Sequence, residues 1–419
     1  MERYIRSNGD RGISFVSISV ITYVAYLLVP IITAYIPQLF RYIIYLFILS
    51  GTVYSLFASK SKAEGLLTLF AITIFLLLVY LGEWKQRETV YSFFLSRFLF
   101  WAGLLFVTGL KDIEERETLI IGKTFLILVI ITMITTLVGN ILHPNASREL
   151  ALSITEIEYI RQNIGGYGFV YGIVVFFPYT IYMLKTRSRK HKIVPLIMVV
   201  LSFLLCIFTE YSLAIIITTT IFMIEILRSI RKRSLLLLVL LFFIAVFLIR
   251  KNIEDVLIVL QEKSLDSNLI SVAERIQSIR ELFFGSTYSG NVLLRRDKYY
   301  MSIDIFLENP IIGNLGADNK LGGHSEILDI LAASGLIGFS FFCLLVSLHI
   351  NNILEYRNSD YFWPCLESLL AFIAVASINT VLSSAVIGSF VFLCPVMMKP
   401  LIYAPPTKTA PTLNSKYIK

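Results

Sequence analysis

Long apolar segments recur along almost the whole chain, and they constrain its fold more than any other feature. Runs of about 18 or more apolar residues are long enough to cross a bilayer as helices. Hydrophobic residues make up 56% of the sequence and charged residues 16%, whereas soluble domains have roughly 45–50% and about 25%. Because backbone polar groups must be satisfied internally within a bilayer, we predict an all-α polytopic membrane protein.

The apolar runs predict twelve membrane-spanning helices. They cover residues 13–34, 39–57, 66–82, 90–110, 119–142, 167–184, 193–209, 211–228, 235–250, 326–349, 363–382 and 384–402. We therefore expect residues 1–402 to form a single transmembrane domain, followed by a tail at 403–419.

The distribution of Lys and Arg predicts the orientation of these spans. Most basic residues of the short loops fall on the side that holds both termini. The loop after the sixth span is the clearest case, with Lys185, Arg187, Arg189, Lys190 and Lys192. Because such residues favour cytoplasmic loops, we expect both termini and the tail in the cytoplasm. The net charge of +8 reflects this topology, and no basic, aromatic-rich surface indicates a nucleic-acid partner.

A large external loop at 251–325, between the ninth and tenth spans, follows from this orientation. Apolar residues recur in it at helical spacing, first at Leu269, Val272, Ala273, Ile276, Ile279 and Phe283, and then at Tyr299, Tyr300, Ile303, Phe306 and Leu307. Such amphipathic helices are expected to lie on the membrane surface or to fold over the bundle. Loops of this length are usually functional.

A polar, glycine-rich stretch with one histidine ends this loop. Asn309-Pro310 should stop the preceding helix, because proline lacks an amide donor and restricts its neighbour. Ser325 can cap the next helix, which places His324 at the positive end of a helix dipole. Such a position suits an anionic ligand and a neutral imidazole.

Several arginines accompany this histidine at the predicted outer surface. Arg161 precedes Gly165-Gly166 and the sixth span, while Arg295 and Arg296 open the tyrosine-rich helix. Guanidinium groups bind phosphate oxygens in pairs and stay charged, so converging arginines suit a diphosphate. The alternatives for each are snorkelling or attraction to lipid headgroups, and Arg280 also fits a solvated helix face.

Metal and thiol chemistry find little support in the sequence. The four histidines are scattered, and no Asp-x-Asp motif is present. The four cysteines all fall in apolar spans, where a free core cysteine is the favoured interpretation. A charged residue within a span, Arg97, is costly unless it faces a cavity or snorkels to the nearby surface. We expect neither a metal site nor a cofactor.

The residues from Arg295 to Phe339 resemble the signature of the O-antigen ligase and Wzy-type polysaccharide polymerase superfamily. That signature has an arginine, an aromatic residue four positions on, a helix that ends at a proline, close glycines, a histidine, and a span opening with leucines and Gly-x-x-Gly. The corresponding residues are Arg295, Tyr299, Phe306, Asn309-Pro310, Gly313, Gly316, His324, Leu328, Leu331 and Gly335-Leu-Ile-Gly338-Phe339. Two positions depart from it: Ser325 replaces a common asparagine, and Thr209-Glu210-Tyr211-Ser212 lacks a common arginine.

The resemblance implies a GT-C-like fold and a metal-independent, inverting glycosyltransferase in the bacterial cytoplasmic membrane. The donor would be a glycan on undecaprenyl diphosphate at the outer face. The implied catalytic residues are His324, Arg295 and Arg161, and the implied substrate-binding residues are Arg296, Arg280, Tyr299 and Glu326. Membrane lipids, a flippase and a chain-length-regulating co-polymerase are the implied partners.

The acceptor separates two enzymatic interpretations. A polymerase would use a hydroxyl of another lipid-linked repeat unit, and a ligase would use lipid A-core. Polymerases vary more in sequence, and the missing arginine at 209–212 favours that group. A transporter is the third interpretation, but the chain lacks a recognisable internal repeat and has few charges within its spans.

Overall fold

The computed structural model describes residues 13–83, 90–144, 146–152, 156–187, 191–229, 250–266, 273, 276–277, 290–315, 317 and 319–403. Within this part of the chain the structure has sixteen helices and no strand, which confirms the all-α prediction there. In chain order they are α1 (Phe15–Leu28), α2 (Pro30–Tyr35), α3 (Gln38–Ala58), α4 (Lys62–Glu83), α5 (Val90–Leu110), α6 (Glu115–Leu142), α7 (Ala146–Leu152), α8 (Glu156–Arg161), α9 (Tyr167–Thr186), α10 (Ile193–Phe208), α11 (Ser212–Ser229), α12 (Arg250–Asp266), α13 (Gly290–Glu308), α14 (Glu326–Leu354), α15 (Phe362–Ile378) and α16 (Ala385–Tyr403).

Seven of the described helices are long and apolar enough to cross a membrane, namely α3, α4, α5, α6, α9, α14 and α16. Three further apolar helices are shorter, namely α1, α10 and α15. These helices support a membrane-embedded protein, although the described residues contain fewer long spans than the twelve predicted. Residues 235–249 of the predicted ninth span lie outside the described residues.

Several predicted spans differ from the helices in their limits, and two of these differences have a clear backbone cause. The span predicted at 13–34 is divided into α1 and α2 at Val29, which has non-helical angles (φ −112°, ψ 89°). Val29 precedes Pro30, and a proline ring disfavours the helical conformation of the residue before it. The span predicted at 363–382 ends earlier, at Ile378, because Asn379 is extended (φ −135°, ψ 160°).

The helices form a bundle with α5, α9 and α16 at its centre. In the most apolar stretch of these helices 78%, 78% and 83% of residues are buried, compared with 28% in α3. At the centre, Trp101 of α5 stacks on Phe392 of α16 with ring centroids 5.3 Å apart. The peripheral α3 exposes large apolar side chains such as Leu39 and Leu46. An apolar outer face of this kind is what lipid covers in a membrane protein.

α14 is interrupted at Gly335, whose backbone angles (φ 60°, ψ −162°) are not helical. Beyond the break, the Leu336 amide donates to the carbonyl oxygen of Pro310 at 2.8 Å. Before the break, the Ala332 carbonyl accepts from the Asn314 amide at 2.7 Å. The glycine-rich loop after α13 is thus inserted into the break, and it satisfies backbone groups that a continuous helix would pair internally.

We expect Gly335→Ala to destabilise this insertion. A side chain at such backbone angles costs about 1–3 kcal/mol, and the added Cβ would lie 2.4 Å from the Ile311 carbonyl carbon. Gly323→Ala is the matched control, because Gly323 also has a positive φ (73°) but no atom lies within 4 Å of its added Cβ. Thermal unfolding in detergent should show a clearly larger loss for Gly335→Ala, and equal losses would contradict the inserted loop.

Candidate functional site

The loop between α13 and α14 has the ends that the sequence predicts. α13 ends at Glu308, directly before Asn309-Pro310. The Oγ of Ser325 accepts a hydrogen bond from the Leu328 amide at 3.3 Å, so Ser325 caps α14. His324 therefore lies at the N-terminal end of α14, where the helix dipole is positive.

His324 contacts a lysine to which no sequence pattern pointed. The Nζ atom of Lys298 lies 2.9 Å from Nε2 of His324. Burial, then Lys298 and then Arg295, lower the pKa of His324 below its ordinary value. The imidazole is therefore neutral at neutral pH, and its Nε2 lone pair accepts a hydrogen bond from the Lys298 ammonium.

Arg295 lies on the same side of α13 as Lys298, because residues three apart in a helix are neighbours. Its exposed guanidinium interacts electrostatically with His324 and with the phenol of Tyr167 at the start of α9. Tyr299 also interacts electrostatically with Arg295, and it donates from its hydroxyl to the Ile378 carbonyl at 3.0 Å. We call Arg295, Lys298 and the neutral His324 the cationic cluster, and it lies between α13 and the start of α14.

A cavity of about 210 Å³ lies next to this cluster in the fold. Its lining residues are Glu83, Arg97, Leu321, Gly323, Glu326, Asp329, Thr380 and Ser383. Gly323 directly precedes His324, so the cavity and the cationic cluster share the same loop. The charged lining groups come from three helices, α4, α5 and α14, whose ends meet here.

Arg97 faces this cavity, which is one of the two positions expected for a charge within a span. Its side chain is buried, and its Nη2 lies 3.2 Å from Oε2 of Glu83. The guanidinium carbon also lies 4.0 Å from the centre of the Phe93 ring. Next to this pair, α4 approaches α14 so closely that only glycine fits at position 82. A Cβ atom added at Gly82 would lie only 2.0 Å from the Ala333 carbonyl oxygen. A buried ion pair beside a cavity is a functional candidate in a membrane protein.

Glu326, predicted to bind substrate, is a buried residue in the first turn of α14 that also lines the cavity. Its Oε2 accepts hydrogen bonds from the amides of Val381 and Leu382 at 2.7 and 3.0 Å. The carboxylate thus holds the segment between α15 and α16 against the start of α14. This contact gives Glu326 a structural role in addition to its place on the cavity wall.

Asp329 lies one turn after Glu326 and leaves one carboxylate oxygen unpaired. Its Oδ1 accepts hydrogen bonds from the Ser302 hydroxyl at 2.6 Å and the Gly323 amide at 3.1 Å. Its Oδ2 is buried and has no hydrogen-bond partner among the described residues. An unsatisfied buried polar group costs about 1–3 kcal/mol, so Asp329 lowers the stability of the fold at this position.

The described residues contain no group of three or more His, Cys, Asp or Glu side chains arranged to hold a metal ion. The three carboxyl groups of the cavity each have protein partners instead. Glu83 pairs with Arg97, and Glu326 and Asp329 accept hydrogen bonds from neighbouring backbone amides.

The other predicted arginines have different partners from the cationic cluster or lie outside the described residues. Arg161 ends α8, with its guanidinium carbon 5.9 Å from the centre of the Tyr35 ring. No contact within the described residues joins it to the cationic cluster, and its convergence with His324 stays a prediction. Arg296 is exposed and pairs with the adjacent Asp297 at 3.3 Å. Arg280 and most of the stripe at 269–283 lie outside the described residues.

Some of the residues missed by the sequence patterns left a usable signal. Lys298 is three residues after Arg295, and Asp329 is three residues after Glu326. In a helix, that spacing places a second polar group on the face already assigned to the site. Glu83 left no such signal, because its partner Arg97 belongs to a different helix.

Comparisons with known proteins do not place the chain in a family. No protein-family model matches the sequence. No curated protein is significantly similar to it.

Proposed function

We propose that this protein is a polysaccharide polymerase of the O-antigen ligase and Wzy-type superfamily. In this proposal it is a metal-independent, inverting glycosyltransferase with twelve spans, a GT-C-like fold and both termini in the cytoplasm. It transfers glycan from undecaprenyl diphosphate to a sugar hydroxyl of another lipid-linked repeat unit, at the outer face of the bacterial cytoplasmic membrane. The observation that carries the proposal is the juxtaposition of Arg295, Lys298 and His324 at the start of α14.

Two cations of this cluster suit the leaving group. Transfer from a lipid diphosphate breaks the bond between the anomeric carbon and a phosphate oxygen, and negative charge develops on that oxygen. Arg295 can bind diphosphate oxygens with two parallel hydrogen bonds, and Lys298 adds a second positive charge. Fixed cations at a developing negative charge are among the largest contributions to catalysis. Arg161 is proposed as a further member of this clamp.

His324 supplies the base for the acceptor. Its neutral Nε2 takes the proton of the acceptor hydroxyl while the hydroxyl oxygen bonds to the anomeric carbon from the side opposite the leaving group. The configuration at that carbon is therefore inverted, and undecaprenyl diphosphate departs. The proton then passes from His324 to solvent.

Lys298 connects these two steps. Its ammonium donates to Nε2 of His324, which is the lone pair that the base needs. A bound diphosphate offers the ammonium a stronger, charged acceptor. Lys298 would then turn to the phosphate and free Nε2, so that the base becomes available only when the donor is bound.

The pH dependence of activity tests the role of Lys298. Because its charge helps to lower the pKa of His324, Lys298→Met should raise that pKa towards its ordinary value. Neutral His324 is the active form. As the pH is lowered, the variant should therefore lose activity at a higher pH than the wild-type protein does. The measurement is a pH–rate profile of purified protein, with the exposed Lys320→Met as control. An acid limb that does not move would contradict the Lys298–His324 contact.

A reconstitution separates the proposed function from its alternatives. Purified protein with lipid-linked repeat units alone should yield a ladder of longer lipid-linked glycans, with or without EDTA. A ligase would remain inactive until lipid A-core was added. A transporter would move its substrate across a vesicle membrane and leave glycan length unchanged. Absence of a ladder from folded, membrane-reconstituted protein would refute the polymerase proposal.

A further inference from the structure

A group of large apolar side chains is exposed where the loop after α13 enters the break in α14. Its members are Leu307, Ile311, Ile312, Leu336 and Ile337, with exposed fractions of 67%, 63%, 44%, 52% and 41%. We call this group the loop-tip patch. We infer that it is inserted into the acyl region of the membrane, so that its partner is lipid and the tip of the loop is a membrane anchor. This insertion goes beyond the proposed function and does not depend on it.

The patch continues the exposed apolar side of α14. The carbonyl oxygen of Ile311 accepts from the Ile337 amide at 3.2 Å, so the loop tip lies directly beside α14 just after the break. Residues 326–335 of α14 include no exposed residue, and Leu336 is the first exposed one. After the break, α14 is therefore a lipid-facing helix of the bundle, and the loop tip lies where that face begins.

The depth of the loop tip follows from α4, which packs against α14. A Cβ added at Gly82 would lie 2.0 Å from the Ala333 carbonyl oxygen. One added at Gly338 would lie 3.8 Å from the Cβ of Leu78. Gly335 is thus level with the last turns of α4, within roughly 8 Å of its end at about 1.5 Å per residue. Because α4 is long and apolar enough to cross a membrane, the loop tip lies at the depth of a span.

The backbone of the loop tip is suited to such a depth. In the acyl region no water is available, so backbone polar groups must pair within the protein. The carbonyl oxygens of Asn309, Pro310 and Ile311 accept from the amides of Gly313, Leu336 and Ile337 at 2.7, 2.8 and 3.2 Å, respectively. Three consecutive carbonyl groups outside a helix are therefore satisfied by protein, which a loop in water would not need.

One acidic side chain limits how deeply the patch can enter. Glu308, the last residue of α13, is exposed, and a charge at the bilayer centre is costly. Interfacial helices bury their apolar face only about 5–10 Å into the boundary between headgroups and acyl chains. Such shallow insertion places Leu307 among acyl chains and leaves the Glu308 carboxylate at the headgroups.

An anchor at this place also limits the position of the cationic cluster. Lys298 precedes Leu307 by nine residues of α13, which is at most about 14 Å along the helix axis. The anchored end of α13 therefore keeps the cluster close to the lipid headgroups.

The test measures the depth of single spin labels on full-length protein in phosphatidylethanolamine and phosphatidylglycerol vesicles. All four cysteines lie in the described part of the chain, and only Cys343 is exposed, so a Cys343→Ala background confines labelling to an introduced cysteine. Labels are placed at Leu307→Cys and Ile311→Cys. Leu81→Cys, exposed on α4 near the same depth, is the lipid reference. Lys320→Cys, exposed in the same loop, is the aqueous reference.

Each label is exposed to oxygen, which concentrates in the acyl region, and to a water-soluble nickel chelate. The ratio of oxygen to nickel collision rates at Leu307→Cys and Ile311→Cys should match that at Leu81→Cys and exceed that at Lys320→Cys several-fold. A ratio at Ile311→Cys equal to that at Lys320→Cys would place the patch in water and overturn the inference. Low collision rates with both reagents would show that protein covers the patch, and they would overturn it equally.

A second measurement needs no variant. Wild-type protein is reconstituted with a phospholipid that carries a photoactivatable diazirine in its acyl chain, and lipid adducts are mapped by mass spectrometry. Adducts are expected on residues 307–312 as well as on Leu77 and Leu81, which are exposed on α4. Adducts on Leu77 and Leu81 without any on 307–312 would contradict the insertion. Because neither experiment involves substrate, their outcome is independent of whether the protein makes a glycan ladder.

Discussion

His324→Ala is expected to abolish glycan elongation while the protein remains inserted and abundant. A positioned general base contributes about 10²–10⁴-fold to such a reaction, and an alanine cannot take the proton of the acceptor hydroxyl. The measurement is polymer length on gels of cell extracts, with protein abundance determined by immunoblot. His143→Ala is the control, because His143 is exposed between α6 and α7.

The comparison of these two histidine variants is decisive for the base. Elongation should be lost in His324→Ala and unaffected in His143→Ala. Polymer of normal length in His324→Ala would remove this residue from the mechanism, and the Lys298 contact would then be structural only.

Replacement of Arg295 should have an effect of similar size. Loss of a fixed group that stabilises developing negative charge costs about 10²–10³-fold in turnover, so we expect at least this loss in Arg295→Ala. Arg295→Lys should lie between this variant and the wild type, because an ammonium keeps the charge but loses the two-pronged geometry. The measurement is kcat/KM for the lipid-linked donor with purified protein.

Arg357→Lys is the matched control for Arg295→Lys. Arg357 is an exposed residue that follows the C-terminal end of α14. Arg295 belongs to α13 and lies near the opposite, N-terminal end of α14. The control should retain wild-type activity. Full activity in Arg295→Lys would show that the site needs only positive charge, and it would argue against a paired contact with the diphosphate.

Local signals were sufficient to predict most of the helices. The span predicted at 90–110 coincides with α5, because its apolar run has clear limits on both sides. The end of α13 at Glu308 follows from the proline two residues later, and the start of α14 follows from the Ser325 cap. In each case the deciding interaction lies within a few residues of the boundary.

The break in α14 could not be predicted in the same way. Gly335 lies inside a continuous apolar run, and such a run also fits an unbroken helix. The break depends on hydrogen bonds with the loop after α13, including that from Leu336 to Pro310. Those partners are more than one helix turn away, and helical periodicity does not describe them.

The candidate site was predictable in its loop, in α13 and at single positions such as Glu326 and Arg97, but the assembly of the cavity was not. His324, Arg295 and Tyr299 were found because they share one stretch of sequence with a recognisable pattern. The cavity wall combines Glu83, Arg97 and Asp329, which are brought together because α4 packs against both α5 and α14. Only tertiary structure can show that juxtaposition.

The central claim is that glycan is transferred directly from a lipid diphosphate at the His324 site. The most direct test is to quantify undecaprenyl diphosphate released by purified protein from lipid-linked repeat units in EDTA, together with the glycosidic bonds formed. We predict one lipid diphosphate released for each new bond, and no release or bond formation with His324→Ala. Bond formation that requires a divalent metal, or that continues in His324→Ala with the same release, would contradict the claim.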